Sequence, residues 1–242
     1  LLAAYADRVL ALMREAGEAM AAHRGLVAGT LRVAAVTTAE YLLPHVLLAF
    51  VQQHPKVQVK LQVGNRAQVC AALSVQEADL AVMGRAPSEL RARSTPFARH
   101  PMAFVAAPSH PVFQQPAPRL EDLNDGKLLV RERGSGTRQT VEQFFGQANV
   151  ELRIGAEMSS NEAIKQMCAA GFGIAFLSLH ACVLELQTGL LKMVPIEGHP
   201  VEREWHVISL ANRKLPAAAA AFEAFLRDEG QKLIEQRSWR AG

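Results

Sequence analysis

Short apolar runs rich in Val, Leu and Ala alternate with amphipathic runs along most of this chain, and they do so in two separate series. In the first, residues 31–36 read as a strand, 41–53 as a helix that ends before Pro55, and 57–63 as a strand with period-two alternation. Residues 66–75 then read as a helix and 79–83 as a strand, with 104–107 a further short strand candidate. The second series opens at Leu128. It runs strand 128–130, Gly-rich turn, helix 137–148, strand 153–158, helix 161–170 and strand 173–177. Alternation of this kind places parallel strands side by side under covering helices, and two series predict two α/β lobes with one sheet in each. The four prolines within 108–118 mark the boundary between them. Pro216 opens a last helix that puts Phe222, Phe225, Leu226 and Leu233 on one face. Ligands of open α/β sheets sit beyond the carboxyl ends of the strands, so the expected ligand cleft lies between the lobes.

A chain of 242 residues has room for one large or two small domains with real cores. Its net charge of +3 does not argue for nucleic acid, which calls for a concentrated basic stripe. The densest basic stretch, Arg85, Arg91, Arg93 and Arg99, carries Glu89 among its members and reads as a solvated loop face. Cys70, Cys168 and Cys182 have neither disulfide-framework nor C-x-x-C spacing, which predicts buried free thiols in a reducing cytoplasm. No apolar stretch reaches the roughly 18 residues of a membrane span. Asp7, Arg8, Arg14, Glu15 and Glu18 interrupt any signal-peptide core. A cytoplasmic location is the expectation.

The chain opens at Leu1 inside a helical pattern. Leu2, Tyr5, Val9, Leu12, Ala16, Ala19 and His23 follow a 3–4 alternation, like the a and d positions of a heptad, until Gly25 and Gly29. A helix over 1–25 that pairs with a second copy of itself, in a fragment of a longer protein, is the expectation; a single helix packed on its own domain is the alternative.

Three strand-to-helix junctions carry small hydroxyl or amide residues: Thr37-Thr38, Gly134-Ser135-Gly136-Thr137-Arg138, and Ser159-Ser160-Asn161. The first backbone N–H groups of a helix lack partners and attract carboxylates and phosphates. Gly134 and Gly136 let several such groups converge on one oxygen, Ser135 and Thr137 add hydroxyls, and Arg138 adds a bidentate cation. A tight turn with a helix cap is the competing reading of this loop. It is neither a Walker loop nor a dinucleotide fingerprint. Thr37-x-x-Glu40 and Ser159-x-x-Glu162 both fit capping boxes, which leaves Thr38, Ser160 and Asn161 as spare donors. Lys165 stands one turn beyond Asn161, where it can offset Glu162. Gly64-Asn65-Arg66 forms a further helix start after a strand. The eight histidines show no metal-ligand spacing. His180 reads as a core or capping side chain rather than a base, and no nucleophile elbow occurs. No metal and no cofactor are expected, and the pattern points to a receptor for a small anion rather than an enzyme.

Taken together, these segments resemble the effector-binding part of LysR-type transcriptional regulators, and within them the CbbR type that controls carbon dioxide fixation operons. The resemblance rests on residues 31–44 (LRVAAVTTAEYLLP), Gly64-Asn65-Arg66, 79–87 (DLAVMGRAP), 131–138 (RERGSGTR), 160–166 (SNEAIKQ), 171–180 (GFGIAFLSLH) and 202–206 (EREWH). It implies two Rossmann-like lobes joined by two crossovers, as in type II periplasmic binding proteins. Lobe I would hold 30–107 with 208–242 and lobe II 108–207, after a dimerising linker helix over 1–25 with Leu2, Tyr5, Val9 and Leu12 in its seam. A winged helix-turn-helix domain would precede Leu1 and carry promoter DNA binding. The implied effector cleft maps onto Thr37, Thr38, Asn65, Arg66, Gly84, Ser135, Gly136, Thr137, Arg138, Ser160, Asn161 and Lys165. The implied ligand is a phosphorylated or carboxylated metabolite, or NADPH, and the implied partners are further copies of the chain in a dimer or tetramer, with no membrane. Two rivals share the scaffold. A solute-binding receptor of a transporter would lack the heptad helix, and an enzyme such as a dehydratase would need Glu40, Glu162 or His180 as its acid or base.

Overall fold

The computed structural model describes residues 27–124 and 127–236, together with Met13. Leu2, Tyr5, Val9, Leu12 and the other heptad positions lie outside the described residues.

The first series forms β1 (Gly29–Val36), a 3-10 turn (Thr37–Tyr41), α1 (Leu43–Gln53), β2 (Val57–Gly64), α2 (Arg66–Ser74) and β3 (Leu80–Met83). The second forms β5 (Leu128–Arg131), α3 (Gly136–Gln147), β6 (Ile154–Met158), α4 (Asn161–Ala169), β7 (Ile174–Ser178), a 3-10 turn (Leu179–Cys182), α5 (Val183–Gln187) and the short β8 (Lys192–Met193). Between the series runs β4 (Ala92–Ala106), and after them come β9 (Val201–Leu210) and α6 (Ala217–Glu235).

Both three-stranded units are parallel: β2-β1-β3 in the first and β7-β5-β6 in the second. The alternation predicts one sheet in each lobe, but the two units belong to a single sheet. The strand order β2-β1-β3-β9-β4-β7-β5-β6 is continuous, because β9 pairs antiparallel with β3 and β4, and β4 pairs antiparallel with β7. The 104–107 candidate is only the end of β4. Pro96 and Pro101 hide the rest of it, yet both are accommodated; the register with β9 shifts between Pro96 and Ala98. Arg93 and Arg99 therefore lie exposed on a strand and not on a loop.

Every residue of β3, β5 and β7 is buried, as parallel strands covered on both faces require. On one face of the first unit, Leu31, Val33, Leu43, Phe50 and Trp205 pack with Phe222 and Leu226 of α6. On its other face Ala34, Val69, Leu73 and Met83 pack under α2. The second unit repeats this with Phe104, Leu128, Val141, Phe145 and Phe176 on one side and Leu129, Ile164, Cys168 and Leu177 on the other. The last helix thus returns to the first unit, where the Phe50 ring meets Phe222 at 5.0 Å and Phe225 at 5.5 Å. Cys168 and Cys182 are buried free thiols, whereas Cys70 is only half-buried. Burial pushes the Cys168 thiol up to about 12, so it is inert.

Two of the expected caps differ. Thr37 makes no cap, because the chain first takes a 3-10 turn and the α-helix begins only at Leu43, ahead of Pro44. Ser160, not Ser159, caps α4 by accepting from the Ala163 amide. A complete capping box stands instead at α2, between Asn65 and Gln68. Among the described residues, no helix is long and apolar enough to cross a membrane.

Candidate functional site

The carboxyl ends of β1, β3 and β5 and the starts of α2 and α3 converge on a cavity crossed by β4 and β9. Of the residues expected at the cleft, Thr37, Thr38, Asn65, Arg66, Gly84, Ser135, Gly136 and Thr137 line this cavity. The start of α3 is open there: Ser135 occupies the cap position, but its side chain makes no cap hydrogen bond. The helix amides and the Ser135 and Thr137 hydroxyls are therefore left to a ligand. Asn65 spends its carbonyl oxygen on the Gln68 amide and keeps its NH2 group, which lies close to Gly134.

Two arginines supply the charge. Arg66 opens α2, and its Nη1 rests 3.8 Å from the Met83 sulfur. Arg203 rises from β9, donates to Thr140 Oγ1 at 2.5 Å and lies over Gly84, where an added Cβ would stand 3.3 Å from Nη2. Among the described residues neither guanidinium has a carboxylate partner. Burial, with the Arg66 charge nearby, pulls Arg203 below its usual range, although an arginine so placed stays protonated. Two unpaired, partly desolvated cations in one cavity repel each other until an anion enters.

Arg131 and His100 complete the wall. The Arg131 charge is met by Glu132 at 2.8 Å, and its Nη1 donates to Thr37 Oγ1 and Asn161 Oδ1. It therefore fixes the Thr37 hydroxyl with its hydrogen free to point elsewhere. His100 is buried, with neither ring nitrogen hydrogen-bonded, and stacks on Trp205 at 3.8 Å. Burial, reinforced by His180 and Arg203, holds its pKa well below the usual value, so it presents a neutral imidazole.

Four expected members do not line the cavity. Arg138 points backwards: it donates to the Arg131 carbonyl and pairs with Glu142 at 2.6 Å and Glu157 at 3.0 Å, so its charge is already neutralised. Ser160 is occupied as the α4 cap. Asn161 stands behind Arg131 as its support. Lys165 turns to a different cavity, held by Glu162 at 2.6 Å and Glu185 at 2.9 Å. Glu162 goes with it, and Glu40 does not line the anion cavity either. Arg131, Arg203 and His100 line the cavity but are not among the residues expected from the sequence. The two arginines lie inside the RERGSGTR and EREWH segments, and for Arg203 the alternation Glu202-Arg203-Glu204 on a strand was the available signal.

Residues 24–231 match the family described as the LysR substrate binding domain. The chain belongs to this family. It is the effector-binding domain of a LysR-type transcriptional regulator, built on the type II periplasmic-binding fold. The transcriptional activator CmpR of Synechocystis is 37% identical over 86% of this chain and 69% of its own length. CbbR of Rhizobium meliloti is 38% identical over 87% of this chain and 68% of its own. The regulatory domain of Synechocystis CcmR, solved in complex with 2-PG, superposes with a TM-score of 0.78 at 36% identity, covering 82% of this chain and 96% of that one. The effector domain of QuiR, at 20% identity and a TM-score of 0.75, shares the fold. These relatives are regulators of transcription, which disfavours the transporter receptor.

Proposed function

We propose that the cavity between Thr37 and Arg203 binds a small anionic metabolite, phosphorylated or carboxylated, and that its occupancy alters promoter binding by the regulator. The observation that carries this is the pair of guanidiniums, Arg66 and Arg203, that have no carboxylate partner among the described residues and face an uncapped helix start. The cavity has a volume of only about 40 Å³, room for a few waters, so a metabolite enters as the walls part and closes them around itself. The similar domain that holds 2-phosphoglycolate supports a ligand of this charge, and the regulators named for carbon fixation support target genes of that kind.

On this reading the lobes are 30–107 with 208–242, and 108–207. Copies of the chain associate, the regulator acts on promoter DNA, the protein works in the cytoplasm, and the site binds without turnover. Calorimetry with 2-phosphoglycolate tests the core of the proposal. Arg203→Ala and Arg66→Ala should each weaken binding by about 10- to 100-fold, as loss of a charge-assisted hydrogen bond does. Unchanged affinity in both would remove the cavity from consideration.

A further inference from the structure

The 3-10 turn that lends Thr37 and Thr38 to the anion site sends Tyr41 into a second cavity, of about 480 Å³, a size typical of small-molecule sites. Leu42, Val183, Leu184, Leu233 and Ile234 make one side of it apolar. The polar side is acidic in balance. Lys165 is shared between Glu162 and Glu185 and lies 4.7 Å over the Tyr41 ring, so one ammonium meets two carboxylates. Tyr41 donates its hydroxyl to Glu162 as well, yet Glu185 Oε2 is shielded from water and accepts no hydrogen bond.

A second, independent group has one nitrogen without a protein partner. His180 is 8% exposed and lines this cavity. Its Nδ1 accepts from the Trp205 indole N–H at 3.1 Å. An indole only donates, so the neutral ring carries its proton on Nε2, and that N–H has no acceptor among the described residues.

We propose that this second cavity binds a small organic amine with an acceptor oxygen and a hydrocarbon body. The ammonium answers the net negative charge of the Glu162–Lys165–Glu185 group, the oxygen answers the His180 N–H, and the hydrocarbon covers the leucine wall. Carboxylates and phosphates are excluded by the sign of the charge, which makes this site complementary in chemistry to the anion site.

Phenylalaninol is a suitable probe, with 3-phenylpropanol and 3-phenylpropanoate as partners of nearly the same shape. Calorimetry on the chain should show saturable phenylalaninol binding, about tenfold weaker binding of the alcohol, and none of the acid at this site. Glu185→Gln should weaken phenylalaninol about tenfold without touching the alcohol. Because Glu185 also pairs with Lys165, Leu184→Lys provides a second test at a position that is 70% exposed, and it should weaken the amine through like charge. Absence of saturable phenylalaninol binding, equal binding of the acid, or affinity unmoved by both variants would each overturn the proposal.

Discussion

Asp79 is wholly buried and grips two arginines, Arg32 at 2.8 Å and Arg213 at 3.1 Å, tying β1 and the segment after β9 to the head of β3. Removing one partner of a buried pair leaves charge uncompensated, which costs about 3–5 kcal/mol where burial is complete. Both arginines are partly exposed, so Asp79→Asn should cost about 2–3 kcal/mol, read as a lower urea midpoint at constant slope. His180 adds a pH dependence of known sign. Burial lowers its pKa to about 4, below the unfolded value near 6.5. Its stabilising contribution is complete above pH 6.5 and is lost as pH falls toward 4, by about 3 kcal/mol. His100, lowered well below the usual value by burial, adds to the same loss. Calorimetric melting between pH 7 and 4 should show the fall, and His180→Gln should flatten it. Arg138 shows why the site was only partly legible. Its place after a Gly-rich turn signals a ligand cation, but Glu142 and Glu157 claim it, one from its own helix and one from a neighbouring strand. Glu142 stands at the i,i+4 spacing and is visible in the residue order, but the Glu157 pairing comes from a neighbouring strand and leaves no local trace there. Thr37, Thr38, Asn65, Ser135 and Thr137 were legible as cavity-lining positions because helix starts announce themselves locally, whereas Ser160 and Asn161, read from the same signal, lie outside the cavity. Arg138→Ala should therefore lower thermal stability while leaving 2-phosphoglycolate affinity within about twofold, the ordinary behaviour of a distant site.

At the scale of elements, most of the parallel strands and their helices follow from periodicity, since β3, β5 and β7 are short apolar runs and the helices between them are amphipathic. What stayed hidden is the antiparallel pair that joins them. β4 mixes arginines and prolines with its apolar residues, and β9 alternates charges before turning apolar at Trp205, so neither looks like a buried strand. Their partners are far along the chain, and no local turn announces the pairing. The docking of α6 is similarly non-local, and one glycine permits it. A Cβ on Gly230 would stand 2.7 Å from the Phe97 ring, which is buried against the same helix. Gly230→Ala should destabilise by about 1–3 kcal/mol through overpacking, despite the better helix propensity of Ala. A denaturant titration checks it; a gain in stability would mean the ring moves aside freely.

At the scale of the molecule, two parallel units share one continuous sheet, and among the described residues β4 and β9 are the strands that pass between them. On the proposed reading, closure of the cavity around an anion is a small twist of that two-stranded ribbon, with Arg203, on β9 itself, as its link to the ligand. The indole of Trp205 lies in the same ribbon, stacked on His100 of one cavity and bonded to His180 of the other. Its excited state is sensitive to both imidazoles. With Trp239 replaced by Phe, the emission of this single fluorophore becomes a built-in optical gauge: occupation of either chamber should change its intensity, and the two signals need not share a sign.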